Sequence, residues 1–143
     1  MIRKLAIIII CIMSFSCSMR KNIMINDVIL EKVRIDATEN PARKLFMLND
    51  LSDKKRIIIS DMLVKDITSS TNIDYDFCII GDMQTDKGLI ECYIYTRNIK
   101  KISMLEKGKT RIHVSGEFSR FFTMLDEFFT KIEIVKAAIE INK

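Results

Sequence analysis

Apolar and polar residues alternate along much of the second half of the chain, which is the pattern of β-strands with one buried face. In the clearest case, Ile90, Cys92 and Ile94 alternate with polar or aromatic neighbours. Five segments of this kind are separated by polar or glycine-containing turns. They are the segments 56–67, 75–81, 89–96, 110–118 and 132–141. The pattern predicts a mainly β chain.

The alternation in the first of these segments changes phase at Ser60 and Asp61. Such a change is typical of a β-bulge, in which one extra residue bends the strand. We therefore expect the first strand to bend near its middle.

Two helices are predicted beside the strands. Asn40 can cap a helix, and Pro41 fits the first helical position because its missing N–H is not needed there. Apolar residues follow at helical spacing, so this helix is expected over 41–51. A second, short amphipathic helix is expected over 99–106, ending at Lys107 and Gly108.

The predicted order is one helix, three strands, a short helix and two strands. This is the order of a five-stranded OB-fold barrel with an N-terminal helix and a short helix between strands three and four. A closed barrel leaves no unpaired strand edges, so we expect this fold class for the segment 37–143.

Short motifs within these elements resemble the bacterial tRNA_anti-like family of small OB-fold proteins, many of them lipoproteins. The matching segments are 40–42, 57–64, 90–94, 105–109 and 112–117. The resemblance extends over about 37–141 and implies the barrel and its leading helix. One departure is the longer connection between the last two strands, over 118–129.

The N-terminus has the pattern of an export signal. Arg3 and Lys4 precede an uncharged apolar run from Leu5 to Met13, and Ser16 precedes Cys17. This run is shorter than the roughly 20 residues of a membrane-spanning helix. The segment resembles a bacterial lipoprotein signal with the loosened lipobox of spirochaetal lipoproteins. It predicts a signal peptide over 1–16, lipidation of Cys17, and a tether over 17–36.

Ordinary secretion with cleavage nearby, or an uncleaved anchor, are the alternatives to lipidation. Acyl chains on Cys17 would make the membrane one partner of the mature protein. The expected location is the bacterial cell envelope. The membrane and the side, periplasmic or surface, stay open.

Charge and cysteine content give little further indication of function. Loss of Arg3 and Lys4 would lower the formal net charge from +4 to +2, which is too small a balance to indicate nucleic acid by itself. Cys78 and Cys92 lie in predicted strands without a C-x-x-C motif, so we expect buried free thiols, with a disulfide as the alternative.

The third predicted strand offers a candidate ligand face. Tyr93 and Tyr95 lie on its outward parity, with Arg97 and Arg111 as neighbouring cations. Aromatic rings beside cations are how OB folds stack single-stranded bases. Acidic neighbours and the exported location argue against this use, so we do not expect nucleic acid as a partner. A protein or a glycan is the expected one.

Five apolar residues in the segment 118–129 form a candidate partner patch. Their spacings of three and four are those of one helical face, and the alternative is a segment that closes the barrel mouth. They are Phe118, Phe121, Phe122, Leu125 and Phe129.

No catalytic motif is recognisable. His113 is the single histidine and has no paired nucleophile in the pattern, so we expect no enzyme activity, catalytic residue, metal site or cofactor. The sequence predicts a membrane-anchored OB-fold module for binding or scaffolding in the periplasm. The alternatives are a surface lipoprotein that binds host molecules, and an oligonucleotide or small anionic ligand binder.

Overall fold

A computed structural model describes residues 19–122 and 130–143. The predicted signal peptide and Cys17, and also Leu125 and Phe129, therefore lie outside the described residues. The strands are β1 (Lys21–Met24), β2 (Lys55–Ser69), β3 (Phe77–Thr85), β4 (Gly88–Ile94), β5 (Arg111–Phe122) and β6 (Thr130–Ile141). The helices are α1 (Ile25–Asp36), α2 (Pro41–Lys54) and α3 (Ile99–Ile102).

Five of the described strands close into a barrel in the order β2-β3-β4-β6-β5, with β5 returning to β2. Strands β4 and β6 run parallel, and the other pairs of this ring are antiparallel. The short α3 lies between β4 and β5. This arrangement confirms the predicted OB-fold barrel.

Strand β2 bends so that it can pair on both sides. Its first half pairs with β5 and its second half with β3. The register with β5 shifts between Ile59 and Met62, which confirms the bulge predicted at Ser60 and Asp61. A second shift, between Val64 and Asp66, lies opposite β3. Each bulge turns the strand locally, and together they let one long strand form two sides of the ring.

The barrel interior is filled by the apolar residues of the alternating pattern. Ile90, Cys92 and Ile94 on β4 are all buried, as predicted. Helix α1 contributes Val28 and Ile29 to the same core, and α2 contributes Leu51. Both helices are therefore part of the barrel's packing.

Residues 21–36 differ from the predicted tether. Strand β1 pairs in parallel with the start of β2, from Lys21 opposite Lys55 to Met24 opposite Ile58. Helix α1 follows at once and buries Ile25 and Ile35. The apolar residues of this segment belong to the folded unit, which begins only a few residues after Cys17.

The start of helix α2 is as predicted. The Asn40 side chain accepts hydrogen bonds from the N–H groups of Ala42 and Arg43, at 2.9 and 3.2 Å. Pro41 occupies the first turn, and the helix continues to Lys54 rather than ending at residue 51. Helix α3 is shorter than predicted, because it stops at Ile102 and leads into a turn.

The phenylalanine segment begins as a strand and not as a helix. Strand β5 continues to Phe122, with a register shift between Phe118 and Arg120. Phe118 lies opposite Ile134 and Phe121 opposite Ile132, both core residues of β6. A bulge thus places two residues three apart on the same side, which imitates helical spacing.

Substitution of Gly116 by alanine should destabilise the barrel. A Cβ atom there would lie 2.5 Å from Ile134 Cγ2 and 3.0 Å from the Val135 carbonyl oxygen. We expect a loss of about 1–3 kcal/mol in the free energy of unfolding, measured by urea denaturation. Glu140→Ala, at an exposed position of β6, is the control and should change it by less than about 0.5 kcal/mol. Equal stability of Gly116→Ala and wild type would contradict the close approach.

Candidate ligand-binding face

The candidate site lies on the outside of the barrel wall formed by β3, β4, β6, the end of β5 and the second half of β2. Because side chains alternate along β4, Glu91 and Tyr93 point away from the core that holds Cys92. Cross-strand neighbours lie opposite them on β3, with Asp82 opposite Glu91 and Ile80 opposite Tyr93. We call this surface the outer face. Its members are Lys65, Asp82, Glu91, Tyr93, Arg120, Phe122, Lys131 and Glu133.

Two aromatic rings meet on the outer face. The centroids of Tyr93 and Phe122 are 5.1 Å apart, and the ring planes meet at 64°, which is an edge-to-face contact. Phe122 reaches this position because the bulge after Phe118 reverses the parity of β5. Both rings are half-buried, so part of each is open to a ligand.

Glu91 is the acceptor at the centre of the outer face. It accepts hydrogen bonds from Lys65 at 2.8 Å and from the Tyr93 hydroxyl at 2.6 Å, and it pairs with Lys131 at 3.0 Å. Burial raises the pKa of the Glu91 carboxyl, but the three donors together outweigh burial and lower the pKa to about 2. The carboxylate therefore stays ionised at neutral pH.

Lys131 is held tightly at this centre. Its side chain is only 5% exposed, and its ammonium lies 3.2 Å from the Tyr93 hydroxyl and 5.5 Å from the centre of the Tyr93 ring. A buried cation requires such partners, because burial of an unpaired charge is costly. Lys131 thus fixes the position of the Tyr93 ring from one side.

Arg120 occupies the rim of the outer face. Its Nε atom donates to Glu133 at 3.0 Å, and its guanidinium lies 5.5 Å from the centre of the Phe122 ring. The side chain is 65% exposed, and that of Lys65 is 52% exposed. The outer face has three cations and three carboxylates, so its net charge is zero. Arg120 and Lys65 nevertheless remain accessible to solvent.

A second aromatic cluster adjoins the face at the end of β4. The centroids of Tyr75 and Tyr95 are 5.5 Å apart, and the guanidinium of Arg97 lies 5.7 Å from the centre of the Tyr75 ring. Within this cluster Tyr95 is buried, and burial raises the pKa of its hydroxyl to about 12. The backbone N–H of Lys136 donates to the Tyr75 hydroxyl at 2.9 Å.

The structure distributes the four residues predicted as the ligand face over three places. Tyr93 lies on the outer face, and Tyr95 and Arg97 follow in the second cluster, although Tyr95 is covered. Arg111 lies elsewhere, at the start of β5, where it pairs with Asp61 at 2.7 Å. Arg111 and Arg120 are nine positions apart along β5, a length of roughly 30 Å.

The predicted partner patch is divided between two sides of β5. Phe118 is buried and Phe121 packs against the core, with their ring centroids 4.7 Å apart. Phe122 alone of the three described members faces outwards, towards Tyr93. Leu125 and Phe129 lie outside the described residues.

Sequence reasoning missed the partners that surround Tyr93. The sequence pattern predicts Phe122 to lie in a helical patch, and it holds no signal that would place Lys131 and Glu133 beside β4. The parallel pairing of β4 with β6 brings Lys131 and Glu133 there, since Glu91 lies opposite Lys131 and Tyr93 opposite Glu133. The pairing of β5 with β6 brings Phe122 there, opposite Lys131. Alternation of residues 131–134 indicates their outward parity, but not which strand they adjoin.

Both described cysteines are free, buried thiols. Burial raises the pKa of Cys78 to about 11 and that of Cys92 to about 12, which keeps both protonated at neutral pH. Within residues 19–122 and 130–143, no group of three or more His, Cys, Asp or Glu side chains could hold a metal ion.

Comparison with known proteins gives structural neighbours only. No family model matches the chain, and no curated protein matches it. One similar solved structure is a Plasmodium falciparum SSB in complex with ssDNA, at 15% identity and a TM-score of 0.39, covering 62% of this chain and 94% of that one. Another is DNA-binding domain A of Saccharomyces cerevisiae Replication Protein A, at 14% identity and a TM-score of 0.38, covering 62% and 82%.

These neighbours correct one expectation from the sequence. Nucleic acid was not expected as a partner, yet both similar structures are described as DNA-binding or bound to ssDNA, so that exclusion is wrong. At this identity the likeness concerns the fold, and the ligand of this chain has to be argued from its own side chains.

Among the described helices, none has the length and apolar character needed to span a membrane.

Replacement of Glu91 by glutamine should lower stability in a pH-dependent way. The pKa of Glu91 is lowered in the folded state, so its contribution is present above about pH 4.5 and is lost as the pH falls towards about 2. We expect Glu91→Gln to cost about 1–3 kcal/mol at pH 7, and this difference from wild type to shrink on acidification. Urea denaturation across this pH range measures it.

Glu106→Gln, at an exposed carboxylate paired with Lys109, is the matched control and should have little effect. A difference between Glu91→Gln and wild type that stays constant from pH 7 to about 2 would contradict the role of the ionised carboxylate.

Proposed function

We propose that this chain is a binding module whose outer face takes a single-stranded oligonucleotide or a smaller anionic ligand with a planar ring. The observation that carries the proposal is the half-exposed ring pair of Tyr93 and Phe122 beside the exposed guanidinium of Arg120. Base stacking on such rings contributes about 1–3 kcal/mol per base and tolerates any base.

The side chains of Tyr93 and Phe122 are held in place by neighbouring residues before a ligand binds. Lys131 and Glu91 contact the Tyr93 hydroxyl, and Arg120 contacts Phe122 and Glu133. Side chains that are already ordered lose less conformational entropy on binding, which favours affinity. The barrel wall beneath them is formed by paired strands and gives a rigid support.

The charges on the outer face predict weak salt dependence. Each cation has a carboxylate nearby, and only Lys65 and Arg120 offer exposed positive charge. If these two contact phosphates of a single strand, the slope of log affinity against log salt should be about −1.4. Stacking would then supply most of the affinity.

Substitution of Tyr93 by alanine should weaken oligonucleotide binding. We expect the affinity for an oligothymidylate of about 16 nucleotides, near the upper site size of one OB fold, to fall about 5- to 150-fold. Tyr93→Phe keeps the ring and should retain most of the affinity. Fluorescence anisotropy at low salt measures both.

Phe46→Ala is the matched control for this test. Phe46 is 66% exposed on α2, away from the outer face, and its removal should leave binding unchanged. Absence of oligonucleotide binding by the wild type at low salt would reject the oligonucleotide. An equal loss in Phe46→Ala would reject the assigned surface.

We also propose that the module is exported and anchored to the cell envelope by acyl chains on Cys17. The basic start, the apolar run and Ser16 before Cys17 support this. Because β1 begins at Lys21, four residues after Cys17, an extended link spans only about 14 Å. An anchored barrel would lie close to the membrane surface, where it could present a ligand or act as a scaffold.

Substitution of Cys17 by alanine should release the protein from the membrane. We expect wild type to incorporate labelled palmitate and to sediment with membranes, and Cys17→Ala to do neither. Cys11→Ala, within the apolar run, is the matched control and should behave as wild type, since the signal peptide would be removed. Palmitate labelling of Cys17→Ala would refute this lipidation site.

A further inference from the structure

An apolar groove adjoins the outer face at the end of β5, where Arg120 and Phe122 border both. It is formed by α1, α2 and the end of β5, and its volume is about 490 Å³. This volume is within the range of small-molecule sites, which is about 300–1,000 Å³. Its apolar lining consists of Ile35, Leu45, Leu48, Phe118 and Phe121, and Phe122 lies at its edge.

The floor of the groove consists of buried side chains, while one wall is exposed to solvent. Ile35 and Phe118 are each 3% exposed and belong to packed elements. Leu45 on α2 is 58% exposed. An exposed apolar wall beside a packed apolar floor is the surface that a hydrocarbon chain would cover.

The rim of the groove is positively charged. Lys32, Lys44 and Arg120 line it, together with the single carboxylate of Asp36. Asp36 is paired with Lys32, and Arg120 with Glu133. Lys44 has no ion pair among the described residues, so its positive charge is the least compensated one on the rim.

We infer that the groove binds a monomeric amphiphile with one aliphatic chain and an anionic head, such as a fatty acid. The chain would lie between Leu45 and Phe121, and the head would meet the Lys44 ammonium. Lys32 stands over the Phe121 ring, 5.7 Å from its centre, which adds positive charge beside the chain's path. The charge of the rim selects an anionic head.

Titration with saturated fatty acids of increasing length tests this inference. The full chain is titrated with octanoate, decanoate and dodecanoate by calorimetry, each below the concentration at which it aggregates. Each added methylene should tighten binding about fourfold until the groove is full, as expected for burial of hydrocarbon. Dodecyltrimethylammonium, which has the opposite head charge, should bind several-fold more weakly than dodecanoate.

Two pairs of variants on α2 locate the site. Leu45→Glu places a carboxylate on the apolar wall and should weaken dodecanoate binding at least tenfold, whereas Phe46→Glu, at an exposed neighbour outside the groove, should not. Lys44→Glu should weaken binding several-fold, whereas Arg43→Glu should not. All four positions are at the protein surface or close to it, so the fold should tolerate each change.

Three results would overturn the inference. The first is an affinity that does not depend on chain length. The second is an equal loss in Phe46→Glu and Leu45→Glu. The third is no binding of any monomeric amphiphile. If the chain then sediments with anionic vesicles, and Leu45→Glu abolishes this, the groove binds a bilayer surface. If it self-associates instead, and Leu45→Glu abolishes that, the groove binds a second copy of the chain.

Discussion

The structure depends on the ability of β2 to pair along both of its edges. Its first half hydrogen-bonds to β5 and its second half to β3, so the ring of five strands closes through this one strand. A straight strand could not turn from one partner to the other, and the bulges after Ile59 and Val64 provide the bend. Closure creates the interior for the apolar residues and, by alternation, the outer face.

The elements set by local rules could be predicted from the sequence. Alternation located the strands, Asn40 and Pro41 located the start of α2, and the change of phase at Ser60 located the main bulge. Residues 21–36 were different, because Ile25 at the start of α1 follows Ile23 of β1 at a spacing of two and no side chain caps the helix. The structure of residues 21–36 depends on their packing against the barrel, and a local sequence pattern does not predict such packing.

The candidate site was predictable only in part, because alternation is a local pattern whereas the pairing of strands is not. Parity along β4 correctly placed Tyr93 outside the core, but parity does not tell which strand adjoins another. The contact of Tyr93 with Lys131 arises from the parallel pairing of β4 with β6, and its contact with Phe122 also requires the pairing of β5 with β6. Both pairings join strands that are distant in the sequence. Tyr95 shares the parity of Tyr93, yet the loop before β3 covers it with Tyr75, and loop positions follow from the whole fold.

The bulge at Ser119 has a consequence for how related chains should be compared. It places Phe121 on the core side of β5 and Phe122 on the outer face, and both rings border the groove. Loss or gain of one residue here would exchange the sides of both rings without changing the composition of the segment. An alignment that matches phenylalanine to phenylalanine in this region would then equate residues of opposite surfaces, and only the register with β6 identifies true counterparts.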